Sequence, residues 1–160
     1  QVVQLCAHRP DRLCFTRFIP ASRPGDGRGT WKGYWERWPS MTLDGLGPEM
    51  VEIARPLQVF VPPARLLDKS IYSPWLGTDL DHALRDGGVD TLIVTGAETD
   101  VCVLATVLGA VDLGYRIIVA TDAVCGSADE SHDHILGLYT SRFTQQVETA
   151  STDDICHAWS

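Results

Sequence analysis

Apolar runs alternate with amphipathic stretches along most of the chain. Runs typical of strands occur at 64–67, 90–95, 116–120 and, more weakly, 146–149. Apolar residues at helical spacing predict helices at 78–85, 101–113 and 129–142, followed by a short helix capped by Thr152. Alternation of this kind predicts an α/β fold: a Rossmann-like, mostly parallel sheet with helices on both faces, in three αβα layers.

The first third of the chain has a different pattern. Residues 12–18 predict a strand, and residues 1–8 resemble the end of a helix. Residues 19–48 are rich in Gly, Pro and Trp, and a loop of this length is usually functional or part of an interface. Its aromatic residues could line a ligand pocket, contact a second subunit or pack on one another. We interpret residues 1–160 as one domain with an aromatic-rich excursion at about 19–48.

Composition and charge limit the classes of function. A chain of 160 residues, 44% of them hydrophobic, is long enough for one domain with a substantial core. The net charge of −8 argues against nucleic acid as a partner, and no apolar run approaches the length that spans a bilayer. The five cysteines are scattered without CxxC spacing, which is typical of a reducing compartment. We therefore predict a soluble, cytoplasmic protein.

Cys102 is the residue whose position is most informative about a catalytic function. It follows the predicted strand 90–95 and Gly96, in the first turn of the predicted helix 101–113. Backbone N–H groups at a helix start lack helical acceptors, and together with the helix dipole they favour a thiolate and can hold an oxyanion. Position alone also fits a structural thiol packed under the helix. The sequence around Cys102 is therefore needed to decide between these roles.

Two blocks of sequence resemble one known family. Residues 67–75 read LDKSIYSPW, and residues 94–103 read VTGAETDVCV. Together with 15–17 (FTR) and 121–123 (TDA), they resemble the isochorismatase-like cysteine hydrolases, a family that includes nicotinamidases and N-carbamoyl amide hydrolases. The similarity covers essentially the whole chain in order, and the spacing of its lysine and cysteine is more specific than either residue alone.

The resemblance implies a catalytic Asp, Lys and Cys at the carboxyl ends of neighbouring strands. On the matching positions Cys102 is the nucleophile, and Lys69 is the cation that favours its thiolate form. The resemblance also implies a cis peptide bond at Ala97–Glu98, in a turn that includes Val101 and directs backbone N–H groups, including that of Cys102, toward the oxyanion. The implied reaction cleaves a C–N bond of a small amide or carbamoyl compound through a thioester.

The chain departs from the family's pattern at two points. No apolar run ending in Asp precedes 15–17, so we expect the first central strand and its Asp to lie in about 20 to 40 residues before Gln1. If no such segment exists, activity is in doubt. Nicotinamidase-type members of the family carry an Asp and two His after their second strand. The corresponding residues 18–24 read FIPASRP and contain no histidine, so we predict no metal and no other cofactor. His132 and His134 do not form a metal motif, because residues two apart on a helix do not share a face.

Substrate contacts are expected from residues near the strand ends. Trp31, Tyr34, Trp35 and Tyr72 would favour a substrate with a flat or apolar portion. Arg17 could bind a carboxylate or form a surface ion pair. The predicted partners are a small-molecule substrate and a second copy of the chain, without nucleic acid or membrane.

Two alternatives to the amidase stay open. An isochorismatase proper cleaves a vinyl ether, but such relatives usually lack the nucleophilic cysteine, so Cys102 counts against this function. An inactive family member that serves as a binding or structural subunit is supported only by the missing Asp. An upstream apolar strand ending in Asp would favour the hydrolase.

Overall fold

Strands and helices alternate through the computed structural model, which describes residues 1–159. The strands are β1 (Cys14–Phe18), β2 (Arg65–Lys69), β3 (Thr91–Ala97), β4 (Arg116–Cys125) and β5 (Val147–Ala150). The α-helices are α1 (Val2–His8), α2 (Thr30–Arg37), α3 (Arg55–Gln58), α4 (Leu80–Asp86), α5 (Leu104–Asp112), α6 (Asp129–Ser141) and α7 (Thr152–Ala158). Each element predicted from the apolar pattern is present, and β4 is longer than its apolar run.

All strand pairs are parallel, as the alternation of elements predicts. β1 pairs with β2, and β3, β4 and β5 form a second sheet in that order. The predicted class, a mixed α/β fold with parallel strands flanked by helices, is confirmed. The difference is that the described strands form two sheets rather than one.

Helices cover both faces of the three-stranded sheet. Ile117 and Val119 of β4 belong to a core cluster with residues of α5 and α6. Ala120 belongs to a second cluster with residues of α1 and α7, and Ile118 packs against that cluster. Because successive side chains of a strand point to opposite faces, a strand covered on both sides is apolar throughout. This arrangement explains the uninterrupted apolar run in β4.

A cavity of about 810 Å³ separates the two sheets. It is lined by consecutive residues of β1 (14–16) and of β3 (91–95). Since successive side chains alternate between faces, contact with consecutive residues means that the cavity runs along the strand edges. No backbone hydrogen bond joins β1 to β3 within residues 1–159. The predicted central strand is not among these residues and stays a prediction, and the edges it would join lie on either side of this cavity.

Local structure differs from the sequence prediction at a few positions. Pro10–Arg12 form a 3₁₀ turn, which delays β1 until Cys14, because proline starts such turns and lacks the N–H that a strand ladder uses. Ser151 rather than Thr152 caps α7, since the Ser151 hydroxyl accepts a hydrogen bond from Asp154 N–H at 3.1 Å. The excursion is not a plain loop, because it contains α2.

The helices are short. The longest that the structure describes, α6, has 13 residues, whereas crossing a bilayer takes about 20 apolar residues. Bilayer crossing is therefore beyond the reach of every helix in the described part of the chain. The cytoplasmic location stays a prediction.

Gly109 in α5 is a packing constraint on the fold. A Cβ added there would lie 2.2 Å from Cδ1 of Trp75. The indole is held in place, because its Nε1 donates to the Thr106 carbonyl at 2.9 Å and its ring stacks 5.7 Å from Tyr115. We expect Gly109→Ala to lower the free energy of unfolding by about 1–3 kcal/mol, the usual cost of overpacking, as measured by urea unfolding.

Gly137 in α6 provides the matched control. It is exposed, and a Cβ added there would meet nothing within 4 Å. Gly137→Ala should raise the free energy of unfolding by about 0.5–1 kcal/mol, because alanine loses less backbone entropy in a helix. Changes of the same sign in both variants would contradict the packing argument for Gly109.

Candidate active site

Lys69 is a buried cation at the end of β2. Its side chain donates to the carbonyls of Ile71 at 3.0 Å and Tyr72 at 2.8 Å, and its residue is only 5% exposed. Its Nζ lies 3.3 Å from Sγ of Cys102 and 5.4 Å from the centre of the Phe18 ring, within the range of a cation–π contact. Carbonyl dipoles, an aromatic ring and one thiol therefore surround the ammonium.

Cys102 lies in a single wide helical turn, Thr99–Val103, that joins β3 to α5. The sequence predicts an ordinary first turn of a helix at Cys102, but the observed turn is of the π type, which is frequent at functional sites. The carbonyl of Cys102 accepts a hydrogen bond from Thr106 Oγ1 at 2.7 Å, so α5 holds the residue from its C-terminal side. The side chain is partly exposed and can meet a small substrate.

The turn before Cys102 is closed by one carbonyl. The peptide bond Ala97–Glu98 is cis, at the position that the resemblance implies. The carbonyl of Glu98 accepts hydrogen bonds from the N–H groups of Val101 at 3.1 Å and Val103 at 3.0 Å. The N–H of Val101 is therefore engaged inside the turn, and the oxyanion role predicted for it would require that bond to open. The carboxylate of Glu98 accepts a hydrogen bond from Ser127 Oγ at 3.1 Å.

The lysine and the cysteine meet because parallel strands present their carboxyl ends at one side. Lys69 ends β2, and Cys102 follows β3, so the pair spans the two sheets. No carboxylate within residues 1–159 hydrogen-bonds to either side chain. Asp68, although adjacent to Lys69, is exposed and faces the other way, as the alternation along a strand requires. The described residues therefore bring together two members of the implied trio.

Arg17 is held by two carboxylates. It donates to both oxygens of Asp68 at 2.7 and 2.9 Å, and to Glu52 at 2.9 Å. The hydrogen bonds with Asp68 raise the pKa of Arg17 and lower the pKa of the Asp68 carboxyl. Of the two roles considered for Arg17, the structure forms the ion pair.

Aromatic side chains form one cluster beside Lys69. Trp31 is central to it, with ring centres 4.9 Å from Tyr72, 5.4 Å from Tyr34 and 5.8 Å from Trp35. Phe18 joins the cluster 6.2 Å from Trp35. Trp35 is only 4% exposed, whereas Tyr34 and Tyr72 are 40% and 38% exposed. The tryptophans thus pack within the cluster, and the two tyrosines face solvent.

Tyr72 connects this cluster to the lysine–cysteine pair. Its carbonyl accepts from Lys69 and its ring contacts Trp31. Burial raises the pKa of the Tyr72 hydroxyl, and the neighbouring charges of Tyr34 and Cys102 raise it further. The hydroxyl is therefore protonated at neutral pH and can donate a hydrogen bond.

Some residues of the site were not predicted. Phe18 sits under the lysine ammonium, and its signal was its place at the end of a strand, directly after the 15–17 block. Thr99 and His132 form a side-chain hydrogen bond across 33 residues, and no spacing pattern joins them. The carbonyls that hold Lys69 carry no sequence signal, because every residue has one.

The donor set of a metal site does not form here. Among residues 1–159, no three His, Cys, Asp or Glu side chains are grouped so as to hold a metal ion. His134 is exposed, whereas His132 turns toward Thr99. The segment after β1 reads IPASRP and supplies no histidine. The residues present therefore do not fit the metal site that the nicotinamidase resemblance suggests.

Comparison with known proteins identifies the family of this chain. Residues 6–151 match the family model of the Isochorismatase domain. A nicotinamidase from Escherichia coli (strain K12) is 53% identical over 49 residues, which are 31% of this chain and 23% of that protein. The chain spans less than half the length of the curated relatives that it matches.

Solved structures share the fold. An isochorismatase family protein from Desulfovibrio vulgaris matches with a TM-score of 0.78 at 21% identity, covering 98% of this chain and 82% of that chain. The N-carbamoylsarcosine amidase from Thermoplasma acidophilum matches with a TM-score of 0.71 at 25% identity, covering 95% of this chain and 80% of that chain. The arrangement of strands and helices is therefore shared with these proteins.

Proposed function

This chain belongs to the isochorismatase family, and from that membership we propose that it is a metal-free cysteine hydrolase of small amide or carbamoyl compounds. The observation that carries the proposal is the 3.3 Å distance between Lys69 Nζ and Cys102 Sγ. An ammonium at this distance stabilises a thiolate relative to a thiol, and the thiolate is the nucleophilic form. The similarity to a nicotinamidase and to an N-carbamoylsarcosine amidase supports a C–N bond as the target.

The proposed reaction has two steps. The sulfur of Cys102 attacks the carbonyl carbon, so that a C–S bond forms, the C–N bond breaks, and the amine leaves with a proton. Water then attacks the thioester carbon, the C–S bond breaks, and the acid and the thiolate are released. The ammonium of Lys69, 3.3 Å from the sulfur, stabilises the thiolate at the start and end of the cycle.

Both steps need a group that gives and takes a proton beside the sulfur. Lys69 is engaged by two backbone carbonyls and the thiol, and no described carboxylate contacts the pair. We propose that this group is the aspartate of the implied trio, which none of the described carboxylates supplies. The cavity between β1 and β3 supports this assignment, because it extends to Ala97 and Cys102 at the carboxyl end of β3.

Tyr34 and Tyr72 are the proposed substrate contacts. Both are more than a third exposed and belong to the aromatic cluster beside Lys69. Flat, amphipathic side chains favour a substrate with a planar or apolar portion next to its amide. Trp31 packs against both tyrosines, and Trp35 packs against Tyr34. Association of the chain with a second copy stays a prediction.

Ammonia release tests the proposed reaction. Full-length protein, dialysed against a chelator, is incubated with a panel of primary amides and N-carbamoyl compounds. We expect release from at least one of them, and a quenched reaction should contain an acyl adduct on the peptide that carries Cys102. Loss of activity on chelation would contradict the metal-free mechanism, and an adduct on any other residue would contradict the nucleophile.

An inactive family member is the second candidate. The observation that favours it is the lack of a hydrogen-bonded carboxylate at Lys69 and Cys102 within residues 1–159. This candidate expects no product from any amide or carbamoyl compound, although Cys102 reacts with iodoacetamide. The same panel therefore separates a binding subunit from an enzyme.

A further inference from the structure

His132 connects α6 to the turn that carries Cys102. Its Nδ1 lies 2.8 Å from Oγ1 of Thr99. Thr99 is completely buried, so water cannot replace this partner without opening the structure. The backbone N–H of His132 donates to the carbonyl of Ala128 at 3.1 Å, which fixes the residue in the first turn of α6. The ring therefore reaches the turn from a well-anchored position.

Gly126 lies beside both His132 and Asp100 of the turn. A Cβ added at Gly126 would lie 3.5 Å from Oδ1 of Asp100 and 3.7 Å from Cβ of His132. Oδ1 of Asp100 is buried and has no hydrogen-bond partner among the described residues. The described hydrogen bond between the turn and α6 is therefore the partly buried one between Thr99 and His132.

We propose that His132 is a positioning residue that, through Thr99, sets the location of the Cys102 sulfur relative to Lys69. This inference rests on the proposed nucleophilic role of Cys102. Thr99 begins the turn and Cys102 is three residues further on, so a rotation at Thr99 moves the sulfur directly. The distance that such a rotation would change is the 3.3 Å between Sγ of Cys102 and Nζ of Lys69. Misplacement of reacting groups by about 1 Å can cost about 100-fold in rate.

The chemistry of imidazole suits this role. In the neutral ring Nδ1 accepts a hydrogen bond from the Thr99 hydroxyl or donates one to it, depending on the tautomer, and in the charged ring Nδ1–H donates to the same oxygen. The hydroxyl can take either part, so the link is kept in both protonation states. The side-chain amide of asparagine places a polar atom near the position of Nδ1, whereas leucine offers none. Asparagine should therefore restore part of what leucine removes.

Two pairs of variants and a control test the inference. His132→Leu and Thr99→Val remove the hydrogen bond and keep an apolar side chain in its place. His132→Asn and Thr99→Ser keep a polar partner. His134→Leu is the matched control, because it changes an exposed histidine of the same helix. For each folded variant, checked by circular dichroism, we measure kcat, KM and the iodoacetamide alkylation rate of Cys102 by peptide mass spectrometry.

We expect His132→Leu and Thr99→Val each to lower kcat and the alkylation rate by about 10-fold, with KM changed by less than about 3-fold. The double variant should be no slower than either single one, because both remove the same bond. His132→Asn should recover most of the loss, and His134→Leu should match the wild type.

Additive losses in the double variant, or alkylation at the wild-type rate in His132→Leu, would overturn the inference. If Thr99→Val does not fold, the comparison of His132→Leu with His132→Asn still decides. The proposed function fails separately, through hydrolysis that persists without Cys102. In that case the alkylation rates still report whether His132 positions the thiol.

Discussion

Cys102→Ala is expected to lower kcat/KM for the amide substrate by about 10⁴-fold or more, the scale seen when a covalent nucleophile is removed. The loss should be in kcat, because the substrate contacts proposed at Tyr34 and Tyr72 are left intact. Alanine also removes a thiol that is only partly exposed, so the fold should tolerate the change. Steady-state ammonia release and circular dichroism on the same preparation separate loss of chemistry from loss of structure.

Cys125→Ala is the matched control for this experiment. Cys125 is an exposed thiol at the end of β4, directly opposite Ala97 in the sheet register. It is therefore close to the nucleophile turn but has no ammonium partner, and its replacement should change kcat/KM by less than about twofold. If the two alanine variants lose activity equally, the nucleophile has been assigned to the wrong residue.

Lys69→Met is expected to lower kcat/KM and the alkylation rate of Cys102 at pH 7 by about 100-fold. Methionine keeps the unbranched shape of the side chain and removes the charge that stabilises the thiolate. The difference in alkylation should shrink as the pH rises, because hydroxide then forms the thiolate in the variant as well. Rates measured from pH 6 to 10 provide this comparison.

The control for Lys69→Met is Lys32→Met, which removes an exposed ammonium from α2. Lys32→Met changes the net charge by the same amount as Lys69→Met, but Lys32 is not among the residues that contact Cys102. Its alkylation rate should stay within about twofold of the wild type at every pH, because exposed charges are screened by solvent and salt. An alkylation rate in Lys69→Met equal to that of Lys32→Met at pH 7 would refute the role of the buried ammonium.

The elements with a clear hydrophobic period were predictable from the sequence. The buried run 90–95 became most of β3, and the helical spacing after residue 101 became α5. The juxtaposition of Lys69 and Cys102 was also accessible, because parallel strands bring their carboxyl ends together and the two sequence blocks resemble a known family. Strand and helix periods are local properties, so a single sequence carries them.

Other features depend on contacts that have no local signal. The bond between Thr99 and His132 joins residues from separate elements, and neither has a distinctive neighbour in sequence. The ion pairs of Arg17 formed because β1 and β2 align Arg17 opposite Asp68, and this register is a product of the whole sheet. The division into two sheets likewise depends on which strand edges pair through backbone hydrogen bonds.

The carbonyls of Ile71 and Tyr72 give the Lys69 ammonium its direction. Both lie in the segment directly after β2 and accept hydrogen bonds from Nζ at 3.0 and 2.8 Å. Every residue keeps its backbone carbonyl when its side chain is replaced. The orientation of the ammonium toward Cys102 should therefore tolerate most substitutions at positions 71 and 72, so sequence variation there is compatible with an intact lysine–cysteine pair.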